Sequence, residues 1–276
     1  MPNSQIPYQS LIFSLAYNML GSYASAQDIL QDMQLKFLEN QFPIDAPKSY
    51  YLKATVNHCL NIAKKQNRTT YPGPWLPEPF INGPASIETV DLLHYELASL
   101  IESLPPIERA IFVLKEAMGF SHKEIAEALE LSEKNTRQLF SRSKKKIQSD
   151  TNSASPSKQA KQLAEQLIRY ILEGNVDALV QLFSEDIKVI SDGGGKVHTA
   201  KLPVVGREKV AKFLVKISRL SPFVPEVKFT KVLSQTALAF FQGEKCLLVW
   251  VLSTREDTAQ ISRIFAIVNP DKLTFM

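Results

Sequence analysis

Hydrophobic residues near the start of the chain recur at every third or fourth position, which places them on one face of a helix. This spacing predicts helices over residues 8–40, with a break at Gly21-Ser22, and over residues 50–65. Short amphipathic helices bury their apolar faces against one another. Residues 1–68 are therefore predicted to form a small helical bundle.

The same spacing returns in residues 91–148. It predicts helices over 92–104, 107–117, 123–129 and 133–147. Ser121 and Glu124 form a capping-box sequence, and Ser132 is placed to cap the last of these helices. A helix, a tight turn and a second helix make the helix-turn-helix pattern, here with Glu130 expected in the left-handed conformation of the turn.

Between these helical segments, residues 69–90 are rich in proline. Five of the sixteen prolines fall within thirteen positions, 72–84, a density that neither a helix nor a central strand tolerates. The segment is predicted to be a stiff linker. It also carries Tyr71, Trp75 and Phe80, and aromatic side chains on such a linker suggest that it docks onto something, although a plain spacer is an equal alternative.

A second, polar linker over residues 149–157 precedes a change in pattern. Residues 158–276 alternate between helical spacing, at about 158–173 and 207–219, and short β-rich runs. The four β-rich runs are Ile187–Ser191, Val227–Leu233, Lys245–Leu252 and Ile261–Val268. This mixture predicts an α+β domain with an antiparallel sheet.

Composition excludes several classes of protein. Hydrophobic residues are 45% of the 276 and charged residues 22%, which is ordinary for a globular chain. The longest apolar run, Cys246–Leu252, is far shorter than the roughly 20 residues of a membrane helix, and no secretory signal is recognisable. Two cysteines exclude a disulfide framework, so a reducing cytoplasm is expected. The histidines, His58, His94, His122 and His198, show no ligand spacing, and neither a metal nor a cofactor is expected.

Net charge is uninformative, but its local distribution points to DNA. Residues 1–152 hold 15 basic and 16 acidic side chains, whereas residues 153–276 hold 17 and 12. The second helix of the helix-turn-helix nevertheless concentrates basic and amide side chains, which reach base edges and phosphates when such a helix enters the major groove. The residues proposed to do so are Lys134, Asn135, Arg137, Gln138, Ser141, Arg142 and Lys145.

Three consecutive glycines, Gly193–Gly195, follow a predicted strand and predict a turn with positive φ. A plain hairpin turn and a contact surface are both compatible with this feature. The α+β domain also offers Asp192 and His198 as acid–base candidates, with Phe240, Phe241, Trp250 and Phe265 as a possible pocket lining. No spacing among them defines a catalytic pair, and no catalytic residue is assigned.

Several motifs together resemble extracytoplasmic-function (ECF) sigma factors, in the subgroup with a SnoaL-like C-terminal extension. They are Phe13–Ser22, Gly73–Pro79, Leu104–Ala110, Asp192–Lys196 and Asn269–Leu273. The resemblance implies two all-α sigma domains, the second with the helix-turn-helix, followed by an α+β SnoaL-like domain with an NTF2-like cone fold. It implies a factor without turnover that directs core RNA polymerase to promoters and is regulated by its own extension.

The resemblance also implies partners and site residues. The β′ clamp helices of the polymerase would bind Asp28, Gln31, Asp32 and Gln34, and the β flap is a further expected contact. Promoter DNA would be read at the −35 element by the helix after Ser132. The −10 element would be read by Asn57, Lys64, Lys65, Asn67 and Arg68.

We further hypothesise that the extension packs on the linker and sets the geometry between the two DNA-reading domains. Trp and Pro side chains lose little entropy on docking. The residues expected to form this regulatory contact are Trp75, Leu76, Pro77, Glu78, Pro79, Asp192, Gly193, Gly194, Gly195, Lys196, Asn269, Pro270, Asp271, Lys272 and Leu273.

Two other functions remain as alternatives. A one-component regulator would join the helix-turn-helix to a domain that senses a small-molecule ligand, but it leaves the N-terminal bundle and the Trp75–Pro79 segment unexplained. An isomerase or cyclase with an incidental DNA-binding segment would need a pocket with an ionisable group at its base.

Overall fold

The structure is a computed structural model. It describes residues 5–39, 41–43, 46–66, 71–80, 92–148, 159–220, 225–255 and 257–276. The chain folds into two compact units. The first holds residues 1–70, 82–93 and 97–150, and the second holds residues 71–81, 94–96 and 151–276.

The first unit is helical. Its helices are α1 (Gln9–Leu20), α2 (Tyr23–Leu38), α3 (Lys48–Gln66), α4 (Tyr95–Ile101), α5 (Pro106–Glu116), α6 (His122–Leu129) and α7 (Glu133–Gln148). Helix α1 is its centre, since every side chain from Leu11 to Leu20 is buried. Gly21 ends α1 with φ 58°, and the Ser22 hydroxyl caps α2 by accepting from the Ser25 amide. The predicted break at these two residues is confirmed.

In its described residues, the second unit combines three helices with one sheet. Its elements are α8 (Ala160–Glu173), α9 (Val176–Leu182), β1 (Phe183–Asp192), β2 (Val204–Val205), α10 (Arg207–Leu220), β3 (Glu226–Val232), β4 (Gln235–Gln242), β5 (Lys245–Arg255) and β6 (Gln260–Ile267), followed by a 3-10 turn over Pro270–Lys272. The strand order is β2-β1-β6-β5-β4-β3. Tyr95 and Glu96 belong to this unit, although they begin α4.

The sheet departs from the prediction in two ways. It is mixed, because β1 pairs with β6 in parallel, with Val189 opposite Ile264. The sequence pattern also missed β2, which has only two residues, and β4. Strand β4 lies between β3 and β5, and its side chains from Ala237 to Phe241 are all buried, so it lacks the alternation that marks a half-exposed strand.

Successive side chains along a strand point to opposite faces of the sheet. The buried apolar side chains therefore form two clusters, one on each face. The pocket face, which includes Leu238, Trp250 and Ile264, packs with α8, α9 and α10. The opposite face, which we call the linker face, includes Val249, Val251 and Phe265 and packs with Leu76 and Tyr95. The Pro-rich segment therefore contributes to the core of the second unit.

Within the described residues, no helix is long and apolar enough to cross a membrane. The same part of the chain contains no group of three or more His, Cys, Asp or Glu side chains that could hold a metal ion.

Candidate functional site: two helical surfaces and a linker site

The helix-turn-helix forms as its capping sequence predicts. The Ser121 hydroxyl accepts from the Glu124 amide at 3.2 Å, and the Glu124 carboxylate accepts from the Ser121 amide at 2.7 Å. Glu130 ends α6 in the left-handed conformation, with φ 55°. The Ser132 hydroxyl then caps α7 by accepting from the Asn135 amide at 3.2 Å. The local hydrogen bonds thus set the turn between the two helices.

Helix α7 presents one basic and amide-rich face to solvent. All seven residues proposed from the sequence to contact the −35 element lie on the accessible side of this helix: Lys134, Asn135, Arg137, Gln138, Ser141, Arg142 and Lys145. The last five of these line a common groove. The geometry therefore brings the proposed residues together on one accessible surface.

The opposite face of α7 is fixed against α5. Phe140 stacks on Phe112 with ring centroids 5.9 Å apart, and the buried Ser143 hydroxyl donates to Glu108 at 3.3 Å. The other Glu108 oxygen lies 3.8 Å from the Arg142 guanidinium, whose side chain is otherwise exposed. Packing on one side of α7 thus orients the basic side chains on the other.

Helix α3 carries the residues proposed for the −10 element. Asn57, Lys64 and Lys65 are exposed, whereas Asn67 and Arg68 lie outside the described residues. One turn before Asn57, Lys53 forms an ion pair with Glu130 of the helix-turn-helix. Lys48, at the start of the same helix, lies over the ring of Phe120 at 4.5 Å.

Helix α2 carries the residues proposed for polymerase binding. Asp28, Gln31 and Asp32 are exposed on one face, at the spacing of three and four that aligns side chains along a helix. Gln34 behaves differently, because its side-chain oxygen accepts from the Ile6 amide at 2.8 Å. Three of the four proposed residues therefore share one exposed face, whereas Gln34 is hydrogen-bonded within the helical bundle.

In the second unit, one buried carboxylate receives the Pro-rich segment. Asp192 ends β1 and is fully buried. One of its oxygens accepts from the Tyr71 hydroxyl and from the Gly194 amide, and the other accepts from the Leu76 amide at 2.9 Å and from Lys272 at 2.8 Å. Both carboxylate oxygens are therefore saturated with donors, two of them from the linker.

Lys272 completes this arrangement as its cation. Its side chain is 6% exposed, and its ammonium donates to Asp192 and to the Leu76 carbonyl. The same ammonium lies 3.7 Å from the centroid of the Trp75 ring, a cation–π contact. We call the group formed by Tyr71, Trp75 and Leu76 with Asp192, Asn269 and Lys272 the linker site.

Two backbone turns build the linker site. Gly194 and Gly195 both have positive φ, 60° and 73°, which confirms the predicted turn. A Cβ atom on Gly194 would lie 2.3 Å from the Asn269 side chain, and one on Gly195 would lie 2.6 Å from Pro72. The Asn269 side chain donates to the Tyr71 hydroxyl at 3.2 Å and accepts from the Asp271 amide at 3.1 Å. The glycines thus allow the two turns and the linker to approach closely.

Burial and hydrogen bonding raise the pKa of the Tyr71 phenol. Desolvation is the main cause, and the hydrogen bond to Asp192 and the negative charge of that carboxylate act in the same direction. Tyr71 therefore remains a hydrogen-bond donor to Asp192 over the whole neutral range.

The other residues proposed for the regulatory contact have different positions. Pro77, Glu78 and Pro79 are buried, and Leu273 joins the linker-face cluster. Lys196 pairs with Asp271 at 2.6 Å, and both side chains are more than half exposed. Gly193 is buried, and a Cβ atom on it would lie 2.3 Å from the Val197 carbonyl oxygen. Pro270 is exposed.

Sequence reasoning missed several residues that hold the start of α4. The Tyr95 hydroxyl donates to the Pro77 carbonyl at 2.6 Å, and the Glu96 amide donates to the Gln235 side chain at 2.7 Å. The Glu96 carboxylate pairs with Arg263 at 3.2 Å, with both side chains buried. The only sequence signal was a lone charged residue, Arg263, inside a strand that carries no other charge.

A cavity of about 330 Å³ opens on the pocket face. It lies between α8, α10 and the sheet, and Ser218 is the only polar side chain among the described residues that line it. Phe240 and Trp250 line it as proposed, but Phe241 and Phe265 do not, because alternation along their strands places them in the linker-face cluster. The two acid–base candidates are also elsewhere: Asp192 is in the linker site and His198 is exposed.

Together these features define a helix-turn-helix protein joined to an α+β domain, and comparisons with known proteins refine that class. The sigma-70, region 4 family matches residues 94–147. The "ECF RNA polymerase sigma factor SigJ" of Mycobacterium tuberculosis (strain ATCC 25618 / H37Rv) is 27% identical over 282 residues, which cover 95% of this chain and 90% of that protein. A "probable ECF RNA polymerase sigma factor SigI" of the same strain is 24% identical and is matched over 92% of its length, which covers 96% of this chain.

A solved structure shows the same fold. The crystal structure of SigJ from Mycobacterium tuberculosis matches with a TM-score of 0.77 at 23% identity, covering 97% of this chain and 96% of that one. The fold class predicted from the sequence is confirmed, with helical domains followed by an α+β domain. The chain is thus similar along 95% of its length to an ECF RNA polymerase sigma factor, and its residues 94–147 match the sigma-70, region 4 family.

Proposed function

We propose that this protein directs core RNA polymerase to promoters, with α7 reading the −35 element. The observation that carries the proposal is the exposed basic face of α7, which lies in a capped helix-turn-helix inside the region 4 match. Amide side chains such as Gln138 reach base edges, and cations such as Lys145 meet phosphates. A factor that acts on chromosomal promoters works in the cytoplasm.

Helices α3 and α2 supply the other two contacts in this proposal. The exposed side of α3, with Asn57, Lys64 and Lys65, contacts the −10 element, and the other two proposed residues, Asn67 and Arg68, lie outside the described residues. The exposed acidic face of α2, with Asp28 and Asp32, binds the β′ clamp helices. The β flap is expected to bind the region 4 part of the chain.

The C-terminal domain regulates this activity by holding the linker. Leu76 donates its amide to Asp192 and gives its carbonyl to Lys272, so the backbone of one linker residue is bound on both sides. Because the linker joins the two DNA-reading parts of the sigma factor, holding it limits the geometries that they can adopt. The linker site supports this role more directly than it supports catalysis, since each polar group in it is used for holding the chain.

The protein is proposed to have no enzymatic turnover of its own. The cavity of the C-terminal domain has no ionisable side chain among the described residues that line it, and general acid–base catalysis needs such a group. An isomerase or cyclase is therefore disfavoured. A one-component regulator is disfavoured by the similarity to sigma factors along 95% of the chain.

Reconstitution tests the proposed function. The full-length protein is mixed with purified core RNA polymerase and a genomic fragment library, and run-off transcripts are sequenced. We expect association with the core enzyme at low salt and transcripts that start downstream of one shared pair of promoter elements. Gln138→Ala should relax base preference in the upstream element only, while Lys212→Ala, an exposed position on α10 outside the helix-turn-helix, serves as the control. No association with the core enzyme would overturn the proposal.

Ligand sensing by the C-terminal domain is a second candidate function. The cavity is large enough for a small molecule, and its apolar lining favours an uncharged, hydrophobic one. An environment-sensitive apolar dye tests this: its fluorescence should rise with the wild-type protein, and Leu214→Trp, which fills the cavity, should abolish the rise. Equal dye binding by the two proteins would reject this use of the cavity.

A further inference from the structure

We propose that Tyr95 and Glu96 are positioning residues of region 4, which they tie to the sheet of the C-terminal domain. This inference rests on the proposed function and adds a second attachment, separate from the linker site. Residues 94–147 match region 4, yet His94, Tyr95 and Glu96 belong to the compact unit of the C-terminal domain rather than to that of the rest of α4. The chain therefore enters the helix-turn-helix part directly from this attachment.

The attachment begins with a buried ion pair. Glu96 is fully buried, and its carboxylate lies 3.2 Å from the Nε atom of Arg263, whose side chain is 4% exposed. Arg263 lies in β6, opposite Ser253 of β5. Removing two charges from water costs free energy that an apolar pair would not cost, so such a pair is better suited to defining one geometry than to adding stability.

Hydrogen bonds fix the backbone at the same point. The Glu96 amide donates to the Gln235 side-chain oxygen at 2.7 Å. The Gln235 side-chain nitrogen in turn donates to the Ser253 hydroxyl at 3.0 Å and to the Leu252 carbonyl at 3.3 Å. Strand β5 thereby orients the Gln235 side chain. Its oxygen accepts from the Glu96 amide, which lies in the first turn of α4 and has no acceptor within that helix.

Tyr95 links this attachment to the linker. Its side chain is fully buried on the linker face, where its ring packs edge-on against Phe265 at 5.5 Å. Its hydroxyl donates to the Pro77 carbonyl at 2.6 Å. The start of α4 and the Pro-rich segment are therefore held by one another as well as by the sheet.

The proposal requires that these residues act on promoter geometry and not only on stability. If the first turn of α4 is held, region 4 accepts a narrow range of distances between the −35 and −10 elements. Releasing it should broaden that range while leaving the recognised sequences unchanged. Such a release does not alter the residues that read DNA. The preferred spacing between the promoter elements should therefore change while the preferred sequence of each element does not.

The test measures transcription from promoters whose two elements are separated by spacers of different length. The variants are Glu96→Gln, Arg263→Gln, the double variant and Tyr95→Phe. The control is Asp186→Asn, which breaks the pair between Asp186 and Arg255 on the same sheet. We expect each single variant to lower the preference for the best spacer by about twofold or more, and the double variant to lose less than the two single effects combined.

Hydrogen exchange of the α4 amides provides a readout that does not depend on transcription. Faster exchange is expected at the start of α4 in Glu96→Gln and Tyr95→Phe, and not in Asp186→Asn. If Glu96→Gln fails to fold, Tyr95→Phe, which loses only a hydroxyl, decides the question. An unchanged spacer preference together with unchanged α4 exchange would overturn the proposal. Absence of any promoter-dependent transcription would instead count against the proposed function, while exchange would still decide the attachment.

Discussion

The ammonium group of Lys272 lies 3.7 Å from the ring centroid of Trp75 while it also donates to Asp192 at 2.8 Å. One buried cation thus binds an aromatic side chain of the linker and a carboxylate of the sheet. Ring, carboxylate and the Leu76 carbonyl surround it, which leaves the side chain 6% exposed. The linker therefore supplies part of the environment that makes a buried lysine tolerable in this domain.

Replacing this cation should be costly. Lys272→Met keeps the length of the side chain but leaves Asp192 buried without its counter-charge, and we expect a loss of about 3–5 kcal/mol in the free energy of unfolding. Denaturant titration followed by circular dichroism measures it. Lys196→Met is the matched control, because the Lys196–Asp271 pair is exposed and should contribute at most about 1 kcal/mol. Equal losses in the two variants would contradict the assigned role of Lys272.

Glycine should be required at position 194 for two separable reasons. Gly194→Ala imposes a left-handed conformation on alanine and also places a Cβ 2.3 Å from the Asn269 side chain. Gly243→Ala imposes the same backbone strain, with φ 61° and no atom within 4 Å of the new Cβ. We expect the control to lose about 1 kcal/mol from strain alone and Gly194→Ala to lose clearly more. Similar losses would show that the close approach to Asn269 has no energetic weight.

The Tyr71 phenol should ionise later than an ordinary tyrosine. Burial and Asp192 raise its pKa above the usual value of 10.0. The folded state therefore keeps this proton when the unfolded chain loses it, so the associated stability is present below pH 10 and is lost as pH rises further. An absorbance titration of the wild type minus Tyr71→Phe isolates this group from the other tyrosines. A normal titration in the difference curve would contradict the hydrogen bond to Asp192.

The basic face of α7 should show its phosphate contacts in the salt dependence of binding. Lys145→Ala is expected to weaken binding to a −35 fragment similarly for all sequences, and to reduce the slope of log affinity against log salt by about 1. Lys212→Ala, an exposed lysine on α10, is the control and should leave the slope unchanged. The measurement is fluorescence anisotropy at several salt concentrations. A slope that changes with neither variant would place Lys145 away from the DNA.

Most helices and the turn chemistry were predictable because they depend on local sequence, although α9 (Val176–Leu182) was not predicted. The capping box at Ser121 and the left-handed Glu130 follow from residues within one or two turns of each other. The direction in which two strands pair does not depend on local sequence. The parallel pairing of β1 with β6 joins residues about 75 positions apart, such as Val189 and Ile264, and no periodicity within either strand encodes it.

For the candidate site, the sequence could likewise predict which residues take part but not how they contact one another. Motif resemblance pointed to Trp75, Asp192 and Lys272, but not to how they meet. That depends on a buried ion pair between residues 80 positions apart and on a cation–π contact across about 200 residues of sequence. Glu96 and Arg263 carried no motif at all. A charged residue inside an apolar strand is a signal only when its partner is known, and that partner is far away in the chain.

The central claim is that the C-terminal domain governs promoter-directed transcription by holding the linker. The most direct measurement is run-off transcription with purified core RNA polymerase, comparing wild type with Trp75→Ala and with Trp75→Phe at matched occupancy of the core enzyme. Trp75→Ala should reduce transcription from the best promoter by about fivefold or more, since a cation–π contact and an aromatic anchor are lost, whereas Trp75→Phe should retain most of it. Equal transcription by all three proteins, with equal protection of the Leu76 amide from exchange, would contradict the claim.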